Sequence, residues 1–591
     1  MEPKQKKPRS LTKQDSAEPG LMIAASRRVV LAADIVDGTM LHALALENLQ
    51  QFKSMHPDSP LCCGQAASQP EALELSWASA CSGSEGAFYV MEAMNAAYKR
   101  MSVPVSLEHV FSCERAPEKQ KWIQALLAVG PLRDIDSDDW PPAIDHESFG
   151  HVEHGGIGFG HCVFQDITEL KGLEAACCKH NRSCDVPSVD ILVVGTSCKD
   201  LSRLNHTADG AGAGSRTSKQ VLAQASSRGG SAQTFAGLLG YVESHRPLCV
   251  LYENVDAIND QAGACEDNNL KILLGKFHAL GYEAQPVMTD ACEFGLPVHR
   301  HRVYILLVNK RSPKLDLLSR PLDIVMQKFR QLVSSCARSP PCLSKVLLDD
   351  DHEAVEKSYE ERLARAQKSQ AKKSPSTKTV NWVNQHMKHA DSLGVRWASA
   401  PGEALQGNKW FQLLTEREAD ALKLSEVEAP SAGFRNLAQS IGRNNFVTRQ
   451  EDGTHLGPTM LPGQLMWTNL TQPQPRLLSG FEAMMLQGFP IGPCLMRMNE
   501  EGYLVTAEAA TAKQKEFPTD SLLQDLAGNA MALPVVLSMM QAALSALWLQ
   551  PAQQESNAMA VETALGAMFL LSSGGLGPGD SQAAEDDDED F

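Results

Sequence analysis

Between residues 72 and 308 the chain repeats one pattern: a short apolar run, a turn, a helical stretch, then another apolar run. Its sharpest instance is 190–205, DILVVGTSCKDLSRLN, where Ile191, Leu192, Val193 and Val194 run unbroken into Gly195. A run that is apolar on both faces fits a buried strand of a parallel sheet. The pattern recurs at 72–80 (ALELSWASA), 109–114 (HVFSCE), 161–166 (HCVFQD), 248–253 (LCVLYE), 282–290 and 302–308 (RVYILLV). Helical patterns fall between these runs: one ends near Met101, and others cover 117–127, 233–243 and 269–280. Pro117 suits the first turn of its helix. Strands alternating with helices predict an α/β fold with a Rossmann-like, doubly wound, mostly parallel sheet.

Such sheets bind ligands beyond the C-terminal ends of their strands. The residues at those ends are therefore the candidates. Gly83 and Gly86 follow the first run, where they make a tight turn and let a ligand approach the backbone. Glu114 ends the second run, Asp166 the third and Glu253 the fifth, and Cys198 follows the fourth. Each acid alone is weak evidence, and a lone cysteine is more often a small buried hydrophobe. Their joint occurrence along one sheet edge is the stronger signal. The glycine turn, CSGSEG at 81–86, is not GxGxxG, so a nicotinamide cofactor is poorly supported.

Length and charge bound the rest. A chain of 591 residues is long enough for two or more domains. Its net charge of −17 argues against indiscriminate nucleic-acid binding but leaves room for a local basic groove. No apolar run reaches the length of a bilayer span, so no membrane partner is expected. The polar, basic start carries no secretory signal, and the fifteen cysteines are expected to be reduced thiols. Residues 1–68 read as largely disordered, with a helical pattern at 41–52 to which no function attaches. Lys4, Lys6, Lys7, Arg9 and Lys13 suit either a nuclear import signal or a solvated tail, so a nuclear location is expected with a cytoplasmic one as the alternative. The alternating pattern fills 69–310, stops over 311–475 and returns over 476–550. Residues 551–591 are a low-complexity tail with an acidic run, Glu585 to Asp590.

Two stretches invite other chemistry. In 311–475, Trp382, Trp397 and Trp410 interleave with His386, Lys388, His389 and Arg396, after a charged helical stretch at 353–373. That mixture suits a nucleic-acid surface, although a solvated loop region would look similar. Cys177, Cys178, His180 and Cys184 (CCKHNRSC) resemble half a zinc site. With no second pair nearby in sequence, free thiols are the favoured reading and no metal is expected.

Taken together, the motifs resemble those of the cytosine-5 DNA methyltransferases, and they occur in that family's order. CSGSEG at 81–86, SCE at 112–114 and QDITEL at 165–170 resemble its cofactor motifs. GTSCKDLS at 195–202 resembles its catalytic Pro-Cys-Gln loop, and YENV at 252–255 its Glu-Asn-Val motif. GLPVHRHRVYIL at 295–306 resembles its Gln-x-Arg-x-Arg motif, and GFEAMMLQGFP at 480–490 and AGNAMALPVV at 527–536 its two closing motifs. The resemblance implies a class I methyltransferase fold with a smaller target-recognition domain inserted at 311–475. It implies S-adenosylmethionine as cofactor, held by Ser82, Gly83, Gly86, Glu114, Asp166, Ile167 and Asn529. It implies DNA as the partner, with RNA such as tRNA as the alternative; the oligomeric state is open. Cys198 would attack C6 of a flipped-out cytosine, Glu253 would hold N3, and Arg302 with Arg300 would contact the cytosine O2. A non-catalytic, nucleic-acid-binding relative is the other reading.

The departures from the family pattern set further expectations. Ser197 replaces a proline and should loosen the placement of Cys198. Lys199 replaces a glutamine and either lowers the Cys198 pKa or points to solvent. Val298 loses a polar contact, Cys81 replaces an aromatic residue, and the Glu85 carboxylate should crowd the cofactor's own.

Overall fold

The structure is a computed structural model that describes residues 35, 38–56, 73–129, 161–203, 221–223, 230–261, 267–312, 321–371, 382–397, 405–441, 446–447, 455–471, 474–490 and 518–547. The basic start, most of the Gly/Ser-rich stretch 203–232 and the acidic tail lie outside the described residues.

Among the described residues, one nine-stranded sheet forms the body. Its strands are β1 (Leu73–Ala80), β2 (Val105–Cys113), β3 (Cys162–Phe164), β4 (Glu174–Cys177), β5 (Arg182–Asp185), β6 (Ile191–Gly195), β7 (Cys249–Val255), β8 (Tyr282–Asp290) and β9 (His301–Asn309). Their spatial order is β5-β4-β3-β2-β1-β6-β7-β9-β8. The central five, β3-β2-β1-β6-β7, run parallel. Every residue of β7 and the four apolar residues of β6 are buried, as unbroken apolar runs require. Both margins are antiparallel: β9 and β8 on one side, β4 and β5 on the other. The β4–β5 hairpin escapes sequence reading because its strands are four residues each and half exposed. The chain order reverses between β1 and β6, and a crevice opens there beyond the strand ends.

The expected disordered segment 1–68 contains a core helix. Thr39–Met55 buries Met40, Leu41, Leu44, Leu49 and Phe52, a stripe at helical spacing, against helices Gly86–Arg100 and Leu533–Leu547. Asn48 Nδ2 donates to Gln541 Oε1 at 3.0 Å, and Gln541 Nε2 donates to the Ala45 carbonyl at 2.9 Å. The stretch Asp520–Leu547 is long and apolar enough to cross a membrane, but 94% of its apolar window is buried in the protein.

The boundary expected at 311 also moves. Helix Leu322–Ser335 packs on Leu533–Leu547, so it belongs to the body. Arg338, just beyond it, pairs with Glu47 at 3.0 Å and donates to Asn48 Oδ1 at 2.9 Å. The inserted part carries its own antiparallel sheet, β10 (Phe434–Asn436), β11 (Phe446–Val447), β12 (Met466–Thr468) and β13 (Arg476–Leu477), in the order β11-β10-β12-β13. Residues 476 and 477 are therefore its last strand rather than the return of the body. A buried ion cluster fastens the two parts: Arg476 meets both carboxylate oxygens of Glu482 at 2.8 Å and Asp350 at 2.7 Å.

The interleaved aromatic and basic stretch is partly interior. Trp410 and His386 are buried. His386 Nδ1 lies 2.8 Å from Asp420 Oδ2, which also accepts the Trp397 indole N–H at 3.0 Å. Trp410, His386 and Trp397 thus help hold the insert together, while Trp382 is half-buried and Lys388 and Arg396 are exposed.

Candidate active site

The β1/β6 crevice is a cavity of about 1240 Å³, lined by the ends of β1, β2, β6 and β7, the start of β9 and residues 459–462 and 528–529. It brings together Gly83, Glu114, Asp166, Ile167, Cys198, Glu253, Arg300, Arg302 and Asn529. Register explains the catalytic half. Gly195 pairs with Glu253 across β6 and β7, and Val255 pairs with Arg302 across β7 and β9. Arg302 Nε thus reaches Glu253 Oε1 at 2.9 Å, with both side chains nearly buried. Gly195 leaves room for this pair: a Cβ there would lie 3.1 Å from Glu253 Oε2 and 2.9 Å from Met531 Cε.

Cys198 sits two residues beyond a small polar network. Thr196 Oγ1 and Tyr252 OH are 2.8 Å apart, and Asn254 Nδ2 donates to the Thr196 carbonyl at 3.2 Å and to Tyr252 OH at 2.9 Å. Asn254 lies inside YENV, yet the sequence gives it no role. The loop is also fastened to the start of helix Gly230–His245. Ser197 N donates to Thr234 Oγ1 at 3.1 Å, while Asp200 N donates to Ser231 Oγ at 3.0 Å and Ser231 N returns to Asp200 Oδ2 at 2.9 Å. The loosening expected from Ser197 is therefore offset by hydrogen bonds that a proline could not make in full.

Burial pushes the Cys198 thiol up, and Glu253 adds to the rise; Arg302 and Arg300 pull it down. The two arginines, rather than exposed Lys199, are the cations that favour its thiolate. Cys81 also faces the cavity, but burial, with Glu114 and Asp166, pushes its thiol up to about 12.

The two arginines divide their work. Arg302 faces Glu253, whereas Arg300 is buried and clamps backbone: it donates to the carbonyls of Met460 and Gly528 at 3.4 Å and to that of Ala530. Burial lowers its pKa to about 10. Its own N–H donates to Asp290 Oδ1 at 2.6 Å, and Asp290 Oδ2 lies 2.7 Å from His299 Nδ1. Arg300 thus positions the closing motif and insert around the cavity that it also lines. Val298 is buried and bridges to Gly457 of the insert.

The other half of the cavity carries the two acids and Asn529. Glu114 Oε2 accepts Gly83 N at 2.9 Å and Oε1 accepts Ala116 N at 2.8 Å, which locks its carboxylate at the cavity edge. Asp166 Oδ1 accepts the Thr168 N–H and hydroxyl at 2.9 and 2.8 Å. Asn529 ends helix Asp520–Asn529 with Nδ2 on the Asp525 carbonyl at 2.7 Å. Its neighbour Gly528 is required by close approach: a Cβ there would lie 2.1 Å from Pro462 N.

Two expected cofactor residues do not line the cavity. Ser82 pins the turn to β2, accepting Cys113 N at 3.2 Å. Gly86 serves packing, since a Cβ would come within 2.5 Å of Leu533 Cδ2. Nor does Glu85 crowd the cavity. It is buried beneath the turn with Oε2 accepting the Ser79 hydroxyl at 2.8 Å, and burial pushes its pKa up to about 7.

The CCKHNRSC stretch gains a neighbour from elsewhere in the chain. Strand β3 delivers Cys162 to Cys177, His180 and Cys184, so their donor atoms all lie within 4.8 Å of one another. Cys178 turns away, its thiol donating to the Val163 carbonyl at 3.2 Å. Cys162 lies fifteen residues upstream of Cys177 in sequence, and strand pairing brings it in.

A doubly wound sheet with a thiol, a paired carboxylate and two acids at its switch point defines a methyltransferase-type site. The chain belongs to the C-5 cytosine-specific DNA methylase family, whose model matches residues 159–492. It is 28% identical over 497 residues to the DNA (cytosine-5-)-methyltransferase DMT5 of Cryptococcus neoformans, covering 80% of this chain and 17% of that protein. It is 25% identical to the type II methyltransferase M1.ScrFI of Lactococcus lactis over 40% of this chain and 54% of that protein. The chain thus spans about a sixth to a half of these relatives. The solved S. pombe Dnmt2 methyltransferase superposes with a TM-score of 0.34 at 12% identity, covering 80% of this chain and 99% of that one.

Proposed function

We propose that this chain transfers a methyl group from S-adenosylmethionine to C5 of cytosine in DNA. The observation that carries the reading is the convergence of Cys198 with the Glu253–Arg302 pair at the mouth of the cavity that Glu114 and Asp166 also line. The acids there suit the cofactor: carboxylates at the ends of β2 and β3 match ribose hydroxyls and an adenine amine, and Gly83, with φ +55°, keeps the turn free of a side chain. S-adenosylmethionine would supply the methyl group as an electrophile.

The protein's own groups do the rest. Cytosine C5 is a poor nucleophile until a thiolate adds at C6 and pushes electron density toward C5. Cys198 is that thiolate, formed in a buried place where two guanidiniums offset part of the cost. Glu253 passes a proton to N3, which takes up the electron pair the thiolate brings to the ring, and accepts the exocyclic amine N–H. After methylation, loss of the C5 proton breaks the C6–S bond and returns Cys198. Arg302 orients Glu253 and presents its guanidinium to O2. Reaching this depth requires the base to leave the helix, at roughly a few kcal/mol of unstacking.

The test is a covalent trap. The chain is incubated with S-adenosylmethionine and either duplex DNA or tRNA carrying 5-fluorocytosine. A Cys198-dependent adduct on DNA supports the reading. An adduct on tRNA alone reassigns the substrate, and folded protein that traps neither is a binder rather than an enzyme.

A further inference from the structure

We propose that Cys162, Cys177, His180 and Cys184 bind one structural zinc ion at the outer edge of the sheet, away from the catalytic cavity. The four donors come from three short strands and the turn between two of them. Cys162 opens β3, Cys177 ends β4, Cys184 lies on β5, and His180 sits in the turn between the last two. That turn is tight: Asn181 adopts φ +51°, which points the chain back so that β5 can pair with β4.

The distances match a tetrahedral ion. The Sγ atoms of Cys162, Cys177 and Cys184 lie 3.6, 3.4 and 3.4 Å from His180 Nδ1. A tetrahedron with Zn–S of about 2.3 Å and Zn–N of about 2.05 Å has an S···N edge of about 3.6 Å. Three thiols around one imidazole nitrogen is also a recurrent zinc donor set, and four protein donors leave no open position for substrate or water. Hence the site is structural.

Cys178 supplies an internal contrast. It neighbours Cys177 in sequence, yet its thiol donates to the Val163 carbonyl and accepts from Gln124 Nε2 at 3.2 Å. The fold therefore separates one packing cysteine from three convergent ones. Cys162 and Cys177 are buried, while His180 and Cys184 are partly exposed and give an ion a way in.

The location suggests what the ion does. β3 and β4 share a single paired position, Phe164 with Cys177, and two backbone hydrogen bonds, Gln165 N to the Ala176 carbonyl and Cys178 N to the Val163 carbonyl, join the outer hairpin to β3. A metal bound to β3, β4, the turn and β5 fastens that hairpin. Asp166 lies four residues past Cys162 at the cavity, and Gln165 N donates to the Ala176 carbonyl at 3.0 Å, so the clip also steadies this wall.

The experiment is metal analysis of the full chain, purified without a histidine tag or chelator. Wild-type protein should hold about one zinc per chain. Cobalt exchange should give the intense visible bands of tetrahedral coordination with a thiolate-to-metal charge-transfer band. Cys162→Ser and Cys184→Ser should lose the ion, and Cys178→Ser should keep it. If the ligand variants fail to fold, release of one zinc from wild type by a mercurial thiol reagent supports the site. Folded wild type with neither zinc nor a cobalt spectrum overturns the proposal. So does a disulfide within the trio, or a Cys178→Ser variant as depleted as Cys184→Ser. None of these readouts depends on methyl transfer.

Discussion

Cys198 and the trio Cys162, Cys177 and Cys184 belong to the same sheet, yet their surroundings set them to different work. Cys198 stands alone beyond a parallel strand, near two guanidiniums and one carboxylate, on a loop held by Thr234, Ser231 and Asp200. The trio lies at the antiparallel margin with its sulfurs converging on one imidazole. A nucleophile needs an open face and a tuned charge. A metal donor set needs mutual proximity and closure. The residue type is shared, and the neighbours decide the chemistry.

The sharpest way to break this contrast is to remove one thiol from each side. Cys198→Ala should abolish methyl transfer and covalent trapping while leaving the zinc content unchanged; a variant that still methylates would undo the assignment. Next comes Arg302→Ala. By leaving Glu253 without its partner and the developing charge unsupported, it should cost about 10²–10³-fold in kcat. It should also slow alkylation of Cys198 by iodoacetamide, because a cation that lowers the thiol pKa is gone. Faster alkylation would show that Arg302 does not tune the thiol.

On the other side, Cys184→Ser should lower the thermal midpoint and raise KM for S-adenosylmethionine several-fold, with kcat less affected. A fall in kcat alone would place the edge cluster nearer the chemistry than the geometry does. A smaller effect is expected at the loop that carries Cys198. Thr234→Val removes the acceptor of Ser197 N and should destabilise by about 1 kcal/mol. Ser197→Pro removes the donor of the same bond, so it should change the methylation rate without abolishing trapping. Equal rates in Ser197→Pro and wild type would mean that the tether does not govern placement of the thiol.

The smallest effect is a pH dependence on the cavity side only. Asp290 is held down to about 2, chiefly by His299 and the Arg300 N–H acting against burial, and Asp290 in turn raises His299. The Asp290 contribution is complete above its unfolded value, about 3.9, and is lost as pH falls through about 2. The His299 contribution is complete below about 6.5 and is lost as pH rises through its raised value. The contribution of this pair should therefore be flat between about pH 4 and 6.5 and decline on both sides. His299→Gln should remove the alkaline decline while preserving zinc, read by thermal denaturation across pH. Because His299 is partly exposed, solvent screening keeps this term modest.

Much of the central sheet could be read from the chain because its signals are local. Ile191 to Val194, LCVLYE and RVYILLV are apolar on both faces, and a strand so buried needs no tertiary information to be recognised. The glycines misled where a small residue serves packing: Gly86 makes room for Leu533, more than 400 residues away in sequence, which no local pattern announces. The tryptophans of the insert misled in the opposite direction. Aromatic rings beside basic residues look alike whether they face bases or a core, and only the packing buried Trp410 and tied His386 and Trp397 to Asp420.

By itself the sequence determined the parallel centre, the thiol at Cys198, the carboxylate at Glu253 and the acids at Glu114 and Asp166, because each sits at the end of its own apolar run. Tertiary structure decided what depends on distance through space. It separated Arg302, beside Glu253, from Arg300, clamped on backbone two residues earlier. It made a core helix of Thr39–Met55 and gave the Cys198 loop its anchors. It also carried Cys162 to a histidine eighteen residues downstream. Strand identity follows from the hydrophobicity of neighbours in sequence, whereas a donor set or an ion pair follows from register and crossover, which only the closed sheet fixes.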